Sequence, residues 1–84
     1  MVRCWLVERS YDDRNLVTVV YATPDGERAH VRELSATVLA REPTTAAEDV
    51  PAEKLDPVED ADARARYREE AGRMRERHDP DEAV

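Results

Sequence analysis

Three side chains in this sequence carry nucleophilic or soft-metal chemistry: Cys4, His30 and His78. None pairs with another at the short spacings that structural zinc sites use, such as C-x2-C or H-x3-H. Cys4 would need a neighbouring base or cation to become a reactive thiolate, and strand alternation is expected to turn Cys4 and His30 to opposite sides of a sheet, so a buried core thiol is expected instead. Harder cations would need carboxylates. Glu42, Glu48, Asp49, Glu53, Asp56, Glu59, Asp60 and Asp62 are dense, but they lack the D-x-D-x-D-G order of a calcium loop and are interrupted by Pro43, Pro51 and Pro57. The only glycines, Gly26 and Gly72, rule out a glycine-rich phosphate loop. No Ser/His/Asp set has a recognisable catalytic spacing. A non-enzymatic protein with no metal and no cofactor is the expectation.

Surface chemistry is then what remains. Residues 2–34 read as a three-stranded meander: VRCWLVER, the valine- and tyrosine-rich LVTVVYA, and a return strand over 27–34. Thr23-Pro24-Asp25-Gly26 fits a type I turn, with Pro24 presetting φ and Gly26 at the fourth position. Closing that turn with Ala22 opposite Glu27 sets Val20 against Ala29, Val19 against His30 and Val17 against Arg32. One face would then carry Leu16, Thr18, Val20, Ala29 and Val31 with Cys4 and Leu6. The other would carry Trp5, Val7, Val17, Val19, Tyr21, Arg28, His30 and Arg32. This second face is apolar at its centre, basic at its rim and free of acids, which marks a contact surface. Homodimerisation is the expected use, since symmetric dimers are the commonest soluble assembly. Cover by residues 35–55 of the same chain is a second reading. Binding of RNA or single-stranded DNA, with Trp5 and Tyr21 stacking on bases and Arg32 on phosphate, is a third.

Residues 35–55 form an acidic connector. Ser35 can cap a short helix through Arg41, Pro43 ends it, and Thr44–Val50 can add an edge strand; the alternative makes 35–41 a strand. A helix is expected over 56–78, with Asp56 as its cap and Pro57 in the first turn. Its stripe of Ala63, Tyr67, Ala71, Met74 and His78 would cover the Val20 face. Pro80 stops it, and residues 79–84 are expected to fray.

Charge divides the chain. Residues 1–41 hold six acids and six arginines, whereas residues 42–84 hold fourteen acids against seven bases and so carry the whole net charge of −7. Lys54 is the only lysine among 13 basic residues. Excess carboxylate with little lysine suits concentrated salt, where screening falls to about 3 Å and acid–acid repulsion fades. The LVTVVYATPDGERA segment (Leu16–Ala29), the arginine-for-lysine usage and the DPVEDADARARYREEAGRM helix with its HDPDE tail resemble small, uncharacterised acidic proteins of haloarchaea. That resemblance implies a halophilic archaeal protein and brings no activity with it. One cysteine and the absence of an apolar run of signal-peptide or membrane-span length point to the cytoplasm and away from membranes.

The sequence thus predicts a single α+β domain of 84 residues: a three- to four-stranded, mainly antiparallel sheet with one long C-terminal helix packed on one face. Its partner is expected to be a second copy of itself, with an unidentified protein or a nucleic acid as alternatives.

Overall fold

The computed structural model describes all 84 residues, Met1–Val84. The valine-rich segment forms β2 (Leu16–Ala22), flanked by β1 (Val2–Tyr11) and β3 (Arg28–Ser35). The turn between β1 and β2 is built on Asp12, whose carboxylate accepts the N–H groups of Arg14 and Leu16 at 2.9 and 3.1 Å. Asn15 takes the left-handed conformation there, with φ of 65°, as asparagine tolerates better than most residues. The turn between β2 and β3 closes as expected, with Gly26 N–H donating to Thr23 O at 2.8 Å. The loop is wider than predicted, because Thr23 N–H bonds Arg28 O at 2.9 Å. The register therefore slips by two residues, to Ala22 opposite Ala29 and Val19 opposite Arg32. A slip of two preserves which side chains share a face.

After β3 come α1 (Ala36–Arg41), β4 (Ala47–Val50), a single 3-10 turn (Ala52–Lys54), β5 (Asp56–Pro57) and α2 (Ala61–Arg77). Five strands form one open antiparallel sheet in the order β4-β1-β2-β3-β5, rather than the three or four expected. Ser35 caps α1 by accepting Val38 N–H at 3.1 Å, so the helical alternative for 36–41 is the one realised. The long helix starts later than predicted. Asp60, not Asp56, accepts the Ala63 N–H at 3.0 Å. Asp56 and Pro57 instead pair with Ala29 and Arg28, and Val58 N–H bonds Glu27 O at 2.9 Å. Proline is compatible with an outermost strand because no ladder N–H is needed there.

The last six residues do not fray. Ala47 N–H bonds Pro80 O, Ala46 N–H bonds Glu82 O, and Val84 N–H bonds Thr44 O, each at 2.9 Å. Arg9 donates to the main-chain oxygen of Val84 at 2.8 Å, and the Val84 side chain packs near Leu6, Val7 and Met74. The segment thereby covers the outer edge of the sheet along Thr44–Ala47.

A β-bulge decides the two faces. The register of β1 against β2 shifts between Leu6 and Glu8, leaving Val7 as the extra residue. Without it, Leu6 would pair with Ala22; with it, Leu6 pairs with Tyr21 and Trp5 with Ala22. The expected partition of β1 is therefore reversed upstream of the bulge. Trp5 and Val7 lie on the α2 side: Trp5 packs with Ala46, Ala47 and Ala71, while Val7 and Tyr67 pack on Val20, Ala22 and Ala29. Cys4 and Leu6 lie on the opposite side with Val17, Val19, Tyr21, Val50 and Leu55. Ala36 and Leu39 of α1 pack over that cluster, beside the Leu34 side chain of β3, so α1 and the segment around Leu55 supply the second layer. No helix of the chain is long and apolar enough to cross a membrane.

Candidate interaction surface

The eight residues predicted to share one contact face do not do so. Trp5 and Val7 are on the α2 side, and Trp5, Val17, Val19 and Tyr21 are 4%, 0%, 0% and 0% exposed. They are core residues of a single chain and offer nothing to a partner; a charge placed at Val19 would unfold the protein rather than split an assembly. Val7 is half-buried on the α2 side, and Arg28, His30 and Arg32 remain accessible on β3.

Around them the chain builds a polar cluster on the outer side of the second layer. Arg32 donates to Glu48 at 3.0 Å, and its guanidinium lies 5.9 Å from the centre of the Tyr21 ring, within reach of a cation–π contact. The Nε of Arg32 is buried without a hydrogen-bond partner. Tyr21 donates its hydroxyl to Thr45 O at 2.7 Å, and burial pushes its pKa up, assisted by the nearby Glu48 carboxylate. This face therefore does contain an acid, supplied by β4, where the acidic AEDV segment gave little strand signal. The Arg32–Glu48 pair is the shared wall of two grooves. One, of about 300 Å³, runs past Leu34, Val38 and Thr45; the other, of about 180 Å³, runs past His30, Val50, Pro51 and Lys54.

The backbone beside this cluster is open. The Thr23–Arg28 hydrogen bond fixes the alternation of β3, so the main-chain groups of His30, Arg32 and Leu34 point to β2 and those of Ala29, Val31 and Glu33 point outward. The two-residue β5 ends its ladder at Ala29. Val31 and Glu33 thus present two N–H and two C=O groups with no neighbouring strand, and the Val31 side chain is 58% exposed. Val38, on the rim of the larger groove, is 39% exposed.

The other chemical candidates go elsewhere. Cys4 is fully buried, and desolvation holds its thiol pKa up, the opposite of what a nucleophile needs. Cys4 and His30 lie on the same side of the sheet, contrary to expectation, because of the bulge. No three His, Cys, Asp or Glu side chains gather as a metal site. His78 ends α2 and bonds Glu82. The helix arginines pair within the chain, Arg66 with Glu8, Arg64 with Glu27 and Arg73 with Glu70, so three of the six are engaged by acids outside residues 42–62.

A family model described as a family of unknown function, DUF7967, matches residues 1–84. The chain belongs to that family. Comparison with curated proteins gives no match, and comparison with solved structures gives none. Family membership thus spans the sheet, both helices and the docked tail together, with the open flank of β3 included.

Proposed function

We propose that this protein works by protein contact, as a homodimer, with no chemistry of its own, in a cytoplasm of high salt. The observation that supports this reading is the asymmetry of the sheet's two flanks. On the β4 side the tail pairs with Thr44–Ala47; on the β3 side four backbone groups of Val31 and Glu33 have no neighbouring strand and the Val31 side chain is exposed. An uncovered strand edge is a template for another strand, and soluble proteins usually blunt or cover such edges. The two flanking grooves give a partner side chains somewhere to settle, and the Arg32–Glu48 pair between them gives it polar orientation. The high-salt setting is supported by the net charge of −7 and the single lysine.

Nucleic-acid binding is less well supported. Its two stacking aromatics, Trp5 and Tyr21, are in the core, and the arginines left on the surface are interleaved with carboxylates.

Light scattering of reduced protein in molar KCl tests the proposal. A molar mass near twice 9.6 kDa is expected. A mass of 9.6 kDa at all concentrations up to the millimolar range would overturn it.

A further inference from the structure

We propose that the larger groove beside Arg32 is a binding site for a small aliphatic amino acid in its zwitterionic form. This goes beyond the dimer reading and does not depend on it. The groove, of about 300 Å³, lies at the lower end of the size range of small-molecule sites. Its wall takes Arg32 and Leu34 from β3, Val38 from α1, Glu42 from the cap of α1, then Pro43 and Glu48.

Arg32 holds an unmet hydrogen bond. Its Nε is the only buried side-chain nitrogen or oxygen in the chain without a partner, and an unmet buried donor is costly. Nη1 of Arg32 is engaged by Glu48 at 3.0 Å. Nε–H and Nη2 share the other edge of the guanidinium, and neither donates within the chain. Two parallel N–H groups of that kind match the two oxygens of a carboxylate. Nη2 is not buried, so a carboxylate meets it first. The Arg32 side chain is 39% exposed and tethered by the one contact with Glu48. A small turn of the guanidinium then brings Nε onto the second oxygen.

A carboxylate alone does not suit the rest of the groove. Glu48 already neutralises Arg32, and Glu42 lines the same space without an ion-pair partner. A simple anion, or a phosphate ester still more, would meet these two carboxylates as like charges. A simple amine would find Glu42 and leave Nε unmet. A molecule with a carboxylate and an ammonium on one carbon answers both, with Arg32 taking the first and Glu42 closing on the second. Leu34, Val38 and Pro43 then cover an aliphatic side chain. Val38, 39% exposed at the rim, is apolar surface that such a ligand would take from water.

Nuclear magnetic resonance reads the site at Arg32 itself, through the Nε–H signal that is missing from Arg32→Lys. With L-leucine as the probe, in molar KCl, that signal should shift saturably in the millimolar range. Isocaproate, which is leucine without the ammonium, and isoamylamine, which is leucine without the carboxylate, should each bind at least about tenfold more weakly. Arg32→Lys keeps the charge opposite Glu48 but has no two-donor edge. It should weaken leucine binding by about tenfold or more, followed through the backbone signals of Val38 and Thr45. Glu42→Gln changes an exposed residue; it should still bind isocaproate and lose the preference for leucine over it. No saturable shift with leucine, equal binding of leucine and isocaproate by the unaltered protein, or unchanged binding by Arg32→Lys would each overturn the site. None of these readouts uses the molar mass, so the site and the dimer fail separately.

Discussion

At the residue scale the β2–β3 turn is held by one carboxylate. Asp25 accepts the Thr23 hydroxyl at 2.6 Å and the Glu27 N–H at 3.0 Å, while the nearly buried Thr23 oxygen accepts Arg28 N–H at 3.2 Å. The Thr23 hydrogen bond, then the Glu27 N–H, hold the Asp25 carboxyl below its ordinary pKa. A depressed folded-state value means that the charged form stabilises the fold. That stability is present above the unfolded Asp value of about 3.9 and is lost as pH falls through the folded value. Asp25 is exposed to solvent, so the effect is at the low end for a charged hydrogen bond, about 0.5–1 kcal/mol. Asp25→Asn should lower the melting temperature by a few degrees at pH 7. The gap to wild type should close in acid, where the protonated carboxyl resembles the amide. Thermal melts from pH 7 down through the carboxylate range test this, and a gap that persists in acid would show that the charge is not the cause.

At the element scale the hairpin tip and the long helix fix one another through Gly26. Its φ is +74°, and a Cβ there would lie 2.3 Å from Arg64 O and 2.9 Å from Arg68 N. Both obstacles are helix backbone, which cannot swing aside as a side chain can. Gly26→Ala should destabilise the protein by roughly 2–4 kcal/mol, combining left-handed strain with overpacking, as read by urea denaturation. A loss under about 1 kcal/mol would mean that the tip is free to lift from α2. The sequence showed this glycine as a turn residue and not as a contact, because the neighbour arrives from nearly forty positions away. The same distinction runs through the fold. The alternation in LVTVVYA made β2 legible, and the parity of β2 against β3 survived a register slip. Trp5 and Leu6 were placed on the wrong faces because one extra residue at Val7 reverses everything before it, and a bulge leaves no mark in the hydrophobic pattern. Ser35 was legible as a cap. Asp56-Pro57 resembles a helix start equally well, and only the unfilled edge of β3 makes it a strand. The open window at Val31 and Glu33 was invisible for a related reason: it is defined by where β5 stops. Glu48 was missed as the partner of Arg32 because its strand is short and acidic.

At the scale of the whole molecule, charge and fold are arranged so that salt should favour the folded state. Of the eight carboxylates between Glu42 and Asp62, only Glu48 and Asp49 find basic partners, Arg32 and Arg3. Glu42, Glu53, Asp56, Glu59, Asp60 and Asp62 form no ion pair, and Lys54 is the only base in that stretch. Folding gathers these acids around a core in which only 17 of 84 residues are buried, so there is little apolar stabilisation to absorb their repulsion. Screening shortens from about 10 Å at 0.1 M salt to about 3 Å at 1 M. That weakens the repulsion, and it also weakens the attractive pairs, which are fewer and partly exposed. The balance favours salt: relief of about 1 kcal/mol corresponds to 4–8 °C for a domain of this size. The melting temperature should therefore climb by about 5 °C or more between 0.1 and 2 M KCl. Chloride is the appropriate salt because sulfate would strengthen apolar burial on its own account. Melts at several protein concentrations separate screening within a chain from screening between copies. A rise independent of concentration places the repulsion inside each chain, as the unpaired acids of 42–62 require, and a flat or falling curve would mean that the acidic segment does not oppose folding at all.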